Sequence, residues 1–216
     1  MIGRRSNRAV PAPSELISSS FVSLDGKLDP TGGEPELRDT RWTAAVVDFV
    51  PEMYEIKGRE QEEAGALLFG RRSYELFAPV WPGMEEFSRY KVLPKYVVST
   101  SLSQDALVDD WGEITILRSL DDVAKLKETD GDPILVHGSA TLNRALQEAG
   151  LIDRYQLLLF PVLFGAGKPL FSDTDMQAQR LKLVEQDSYS NGVQKLVYDV
   201  VRPAAEDDVS WPTAPD

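Results

Sequence analysis

Cysteine is absent from the 216 residues, and histidine occurs once. The first absence removes disulfides, thiolate metal centres and a cysteine nucleophile. The second removes sites built on several imidazoles, and no metal centre is expected. No stretch approaches the roughly 20 apolar residues of a membrane span. Met1 to Pro13 carries three arginines without an apolar run, so a secretory signal is not expected either. Basic residues are in the minority, 23 Lys and Arg against 35 Asp and Glu, for a net charge of −12. That balance speaks against a nucleic-acid surface. It leaves room for a phosphate held by a few local arginines and helix N-termini. A cytoplasmic protein that meets neither membrane nor nucleic acid is expected.

The composition, 42% hydrophobic and 27% charged, is that of a globular chain with a sizeable core. Residues 1–13 show no periodicity and read as a flexible arm. Residues 203–216 hold Pro, Asp and Glu without Lys or Arg and read as an acidic disordered tail. A single domain is expected over 14–202. Within it, residues 15–22 form a first strand that runs into the turn signal Asp25-Gly26. Asp25 reads equally as a turn residue and as a functional carboxylate. From Arg41 the residues Trp42, Ala45, Val46, Phe49, Met53 and Ile56 recur at helical spacing, and Pro51 predicts a kink or two short helices.

Three strand ends carry small, basic or hydroxyl residues. The apolar run 66–69 is followed by Gly70-Arg71-Arg72-Ser73, which opens a helix to Phe77. The glycine admits close approach, the guanidinium offers a planar fork of donors, and the hydroxyl completes a phosphate cradle. An Arg pair beside a helix reads as well as a solvated face. A strand at 95–98 ends in Ser99-Thr100-Ser101, which suits phosphate but also caps turns. The strand 134–136 ends in His137-Gly138-Ser139 and is followed by a helix from Ala140 to Ala149 with Gly150 as its stop. In a parallel sheet such strand-to-helix junctions are where ligands bind. A further strand at 114–117 leads to a helix capped by Ser119. After a strand at 155–160 comes a glycine-punctuated apolar loop, 161–171. The end is antiparallel, with strands at 180–185 and 193–201 joined across Ser190-Asn191-Gly192.

Three of these segments together resemble one family. They are Leu24-Asp25-Gly26-Lys27, Gly70-Arg71-Arg72-Ser73-Tyr74-Glu75, and Pro161-Val162-Leu163-Phe164-Gly165-Ala166-Gly167-Lys168-Pro169-Leu170-Phe171. The resemblance is to the dihydrofolate-reductase-like superfamily, in the branch similar to the reductase domain of bacterial riboflavin biosynthesis, and it covers roughly 14–202. It implies a three-layer α/β/α fold with a mainly parallel mixed sheet and an antiparallel C-terminal hairpin. It also implies NADPH across the carboxyl ends of the strands. By the resemblance, Gly70, Arg71 and Ser73 hold phosphates, and Ser99, Thr100 and Ser101 sit by the 2′-phosphate. His137, Gly138, Ser139, Ala140 and Thr141 take the pyrophosphate, and Leu28 lies beside the nicotinamide.

The deaminase domain of the riboflavin enzyme, which needs a His/Cys zinc site, is not expected in a chain without cysteine. The carboxylate that dihydrofolate reductase carries early in its first long helix has no evident match, Asp39 and Asp48 being the nearest acids. The expected activity is reduction of a small heterocycle, pterin-like or riboflavin-precursor-like, by a stand-alone member of the family. Asp25 is the candidate catalytic and substrate-binding carboxylate, with Trp42 and Phe164 as candidate pocket walls. The rival is a nucleotide-binding or regulatory protein that keeps the fold without turnover. The apolar loop at 161–171 and the N-terminal arm suggest a homodimer.

Overall fold

A computed structural model describes residues 13–28, 47–165, 167–171 and 178–202. The expected arm and tail, and Trp42, lie outside the described residues except for Pro13.

The described chain begins with strand β1 (Leu16–Ser23). Helix α1 (Glu55–Glu63) follows a 3-10 turn at Pro51–Tyr54. Next come β2 (Ala66–Gly70), α2 (Arg71–Phe77), the short helix α3 (Ser88–Val92), β3 (Lys95–Val98) and β4 (Ile114–Leu117). Then follow α4 (Leu120–Lys127), β5 (Ile134–His137), α5 (Ala140–Glu148), β6 (Arg154–Phe160), β7 (Arg180–Ser188) and β8 (Gln194–Val201).

The strands form one sheet in the order β4-β3-β2-β5-β1-β6-β8-β7. β1 to β6 pair in parallel, and β8 joins β6 and β7 antiparallel. The central strands read as continuous apolar runs because both faces are covered. Leu16, Leu68, Ile134 and Val136 pack on one face with Val123 of α4 and Leu142 and Leu146 of α5. Ile17, Leu67, Phe69 and Leu135 pack on the other with Tyr74, Trp81, Tyr90 and Trp111. Met53 and Ile56 lie with Leu158, Phe160 and Val197 on that second side. Each fully buried side chain of this size contributes about 1.5–3 kcal/mol. The expected three layers and antiparallel end are present.

Two local expectations are corrected. Pro51 does not interrupt a helix; it starts one. Residues 47–50 are not helical, and the proline takes the first position of the 3-10 turn, where its missing N–H costs nothing and its fixed φ fits. Residues 84–90 read in sequence as a short helix within a loop; they form instead a 3-10 turn at Glu85–Phe87 that leads into α3. By contrast, Ser119 forms the full capping box with Asp122 that its position suggests. Among the described residues no helix is long and apolar enough to cross a membrane.

Candidate functional site

Because β2, β5 and β1 are parallel neighbours, their carboxyl ends open on the same edge of the sheet. β2 ends at Gly70, which leads straight into α2. β5 ends at His137, and the chain then turns through two successive left-handed residues, Gly138 at φ 65° and Ser139 at φ 61°. Ser139 is the one described non-glycine residue with positive φ, a conformation costing about 1–2 kcal/mol in a residue with a Cβ. Its hydroxyl explains the placement. Ser139 Oγ accepts the Gly70 N–H at 3.0 Å and donates to Ser73 Oγ at 2.7 Å. Both turns are thereby laced into one wall. Asn143 on α5 donates to the Gly138 carbonyl and accepts from Ser18 Oγ at 2.7 Å, which ties β1 into it. Successive left-handed residues ahead of a helix N-terminus make a concave set of N–H groups suited to an anion.

The edge is basic where β2, β3 and β4 end. Arg71 donates from Nε to Glu75 at 2.6 Å and from Nη1 to Ser101 Oγ at 2.8 Å. Ser99 accepts the N–H groups of Ser101 and Leu102 at 3.2 and 2.9 Å, so its hydroxyl shapes the turn. Arg118, which follows β4, donates to the carbonyls of Ser99 and Leu102 at 2.9 and 2.8 Å.

These parts line one cleft of about 680 Å³, within the usual range for ligand pockets. Its lining includes Leu28, Gly70, Arg71, Ser73, Thr100 and the run His137-Gly138-Ser139-Ala140-Thr141, so most of the expected binding residues are brought together. Ser99 and Ser101 stand behind the lining, one shaping the turn and the other holding Arg71. Asp25 does not line the cleft. Its carboxylate accepts from Ser23 Oγ at 2.6 Å and from the N–H groups of Gly165 and Phe164 at 2.8 and 3.2 Å. The Ser23 bond, followed by those of Gly165 and Phe164, holds Asp25 down to about 2. Phe164 packs on the apolar cluster around Phe160 and also stands outside the lining.

At the β1 end the cleft contains residues that sequence reasoning missed. Ser19 on β1 and Lys57 on α1 line it, with Glu60 directly behind them. Trp81 stacks between Phe77 and Phe87, with ring centroids 4.1 and 4.4 Å away, and forms an aromatic wall. His137 meets Trp81 edge-on at 5.0 Å. Burial, and next the charge of Lys57, push its imidazole down to about 3, so it is neutral at physiological pH. The signal for Ser19 was present in principle: three serines, Ser18 to Ser20, stand in the middle of β1, and burying a hydroxyl favours a strand that supplies it a partner.

Comparison with known proteins agrees with this geometry. The model of the RibD C-terminal domain matches residues 14–195. The uncharacterized protein YyaP of Bacillus subtilis is 29% identical over 190 residues, covering 85% of this chain and 93% of YyaP. A putative riboflavin biosynthesis protein from Shewanella sp. PV-4 superposes with a TM-score of 0.68 at 18% identity, over 87% of this chain and 99% of that one. Dihydrofolate reductase from Enterococcus faecalis, complexed with NADP(H), superposes with a TM-score of 0.56 at 12% identity, over 88% and 98%. The two structural likenesses show the fold, and the family match over residues 14–195 shows that this chain belongs to the RibD C-terminal domain family.

Proposed function

We propose that this chain is an NADPH-dependent reductase of a small planar heterocycle. The observation that carries this reading is the Gly138-Ser139 turn, strained and laced to Gly70 and Ser73, in one cleft with Arg71. Gly138, Ser139, Ala140 and Thr141 would hold the pyrophosphate. Arg71, with Thr100 and Arg118, would hold the phosphate at the ribose end, and Leu28 would border the nicotinamide. NADPH supplies a hydride when bound. The chain's own residues position the acceptor, exclude water and steady charge. The membership of the family and the NADP(H) complex of the Enterococcus reductase support the same cofactor. Asp25, spent on the loop at 161–168, supports this reading as the residue that shapes one lip of the cleft.

Mixing the purified protein with NADPH and following cofactor fluorescence tests the first step. Binding that weakens in Arg71→Ala is expected, and no binding by the wild type sinks the reading. Oxidation of NADPH across a panel of pteridines and pyrimidinones tests turnover. Binding without oxidation favours the nucleotide-binding protein instead. A homodimer belongs to the same proposal: the edge strand β7 leaves Leu181, Leu183 and Val184 39–44% exposed. Light scattering after size exclusion measures the mass directly.

A further inference from the structure

The floor of the cleft at its β1 end is an ion pair under little solvent. Glu60 is 3% exposed. Its carboxylate accepts from Ser19 Oγ at 2.8 Å and from Lys57 Nζ at 3.1 Å. Lys57 Nζ also donates to Ser19 Oγ and lies 4.9 Å from the centre of the Phe21 ring. The lysine side chain is 16% exposed and reaches the cleft. As a stability device such a cluster is poor: a buried pair gains little over well-packed apolar residues. It does make sense as a prepared polar group. An ammonium has three protons, and among the described residues its acceptors are Ser19 and Glu60.

The neighbours narrow the role. His137 lies opposite Ser19 in the β1–β5 register. Its Nδ1 is buried without a described partner, and its ring is packed against Phe77, Trp81 and Tyr90. Neutral, its ring is too weak an acid to protonate a substrate. Arg71, Arg72 and Arg118 line the cleft but do not release protons. Lys168 lines it from the loop at 161–168, whose backbone meets Leu28. In the cleft that Phe77, Trp81 and Phe87 wall with aromatic rings, Lys57 is a cation fixed from beneath by a carboxylate.

We propose that Lys57 is a catalytic residue, oriented by Glu60 and Ser19, that binds the heteroatom of the substrate's C=O or C=N bond and protonates it. This rests on the reductase reading. NADPH would supply the hydride to the carbon, and the C=X π pair would move onto the heteroatom. Lys57 Nζ gives that atom a proton, so an X–H bond forms and an N–H bond breaks. The neutral amine then recovers its proton from water. The consequence for substrate class is specific. A cation at this place selects rings that present acceptors, such as carbonyl-bearing ones, and disfavours amino-substituted rings that present donors or become cationic.

The test measures binding of 2,4-dioxopteridine and 2,4-diaminopteridine by their own fluorescence, with and without NADPH. It compares the wild type with Lys57→Met, Lys57→Arg and Lys57→Gln, and uses Lys168→Gln as a control. A charge-assisted hydrogen bond is worth roughly 1.5–3 kcal/mol, so loss of dioxo binding by about tenfold or more is expected in Lys57→Met. Recovery in Lys57→Arg, and little change for the diamino ring, for NADPH or in Lys168→Gln, complete the expected result. Lys57→Gln can still donate to Glu60, so it decides the matter if the methionine variant fails to fold. Unchanged dioxo binding in a folded Lys57→Gln overturns the proposal, as does equal loss of both rings. A wild type that prefers the dioxo ring, loses it in Lys57→Met and never binds NADPH sustains Lys57 as the residue that binds the ring, and overturns both the cofactor reading and the protonation step.

Discussion

The carboxylate of Asp25 accepts the backbone N–H of Gly165 at 2.8 Å, across 140 residues of sequence. It accepts the Phe164 N–H as well, and the same loop is sewn down by Leu24 to Val162, Leu28 to Lys168 and Leu170 to Gly26 backbone bonds. Asp25 therefore clamps the glycine-rich loop onto the turn after β1, and removing the clamp frees the lip of the cleft. Asp25→Ala is expected to lower the melting temperature by a few degrees and to speed proteolytic cleavage within 161–171. Asp25→Asn, which keeps one carbonyl acceptor, should lose less. Because the folded-state carboxyl is depressed to about 2, the clamp is intact above the ordinary carboxylate range and is lost as pH falls through about 2. A loop equally resistant to protease in wild type and Asp25→Ala contradicts this role.

Ser139 offers a second measurement, because its backbone and its hydroxyl pull in opposite directions. Glycine at 139 relieves a left-handed conformation worth about 1–2 kcal/mol. Either glycine or alanine removes the hydroxyl that satisfies the Gly70 N–H, and an orphaned buried donor costs about 1–3 kcal/mol. Urea unfolding should therefore rank Ser139→Gly above Ser139→Ala by about 1–2 kcal/mol, since both lack the hydroxyl and only alanine keeps the strain. Equal stability of the two variants would mean that the φ of 61° is not held in solution.

Much of this framework was legible in the residues. Strands β2 and β5 are covered on both faces and so must be apolar throughout, which makes them stand out as continuous runs. Ser119 and Gly150 mark helix ends because capping chemistry is local, and Gly150 takes the expected positive φ. Parallel order alone then brings Gly70, Thr100 and Gly138 to one edge. What escaped notice depends on contacts far apart in sequence. Lys57 and Glu60 look like a solvent-facing pair three residues apart on a polar helix. They are buried because Met53, Ile56 and Glu60 all point at the sheet, and because Ser19, 41 residues earlier, waits beneath them. Trp81 is hidden in a Pro-Gly turn, and its place in the cleft comes from packing on rings distant in sequence, Phe69, Trp111 and His137, as well as on Phe77 and Phe87. Asp25 shows the converse: a conspicuous motif residue whose hydrogen bonds are spent on the Ser23 hydroxyl and on backbone.

His137 gives the fold a pH signature. Its imidazole is depressed from 6.5 to about 3, by burial first and Lys57 second. The unfolded chain thus binds a proton that the folded chain refuses. The contribution to stability is complete above about 6.5 and is lost as pH falls towards about 3. One such proton changes stability by at most about 1.4 kcal/mol per pH unit in that window. His137→Asn cannot titrate, so its stability should fall less steeply between pH 6 and pH 4 than that of the wild type. Urea unfolding at several pH values measures both slopes. Parallel slopes would show that the ring is solvated in the folded protein.

Arg71 bears on which dinucleotide is taken. Its guanidinium is half exposed and is now shared between Glu75 and Ser101. An exposed pair of this kind contributes under about 1 kcal/mol to stability, so Arg71→Ala should melt close to the wild type. A phosphate competes well for the same fork, because bidentate charge-assisted bonds are stronger than the exposed carboxylate pair they replace. If the phosphate is that on the adenosine ribose, the loss falls on NADPH and spares NADH. Fluorescence titration is expected to show NADPH weakened by roughly 10- to 100-fold in Arg71→Ala and NADH nearly unchanged. The NADPH affinity of the wild type should also fall with added salt, and less steeply in the variant. Equal weakening of both dinucleotides would move Arg71 from the ribose phosphate to the pyrophosphate, beside Ser139.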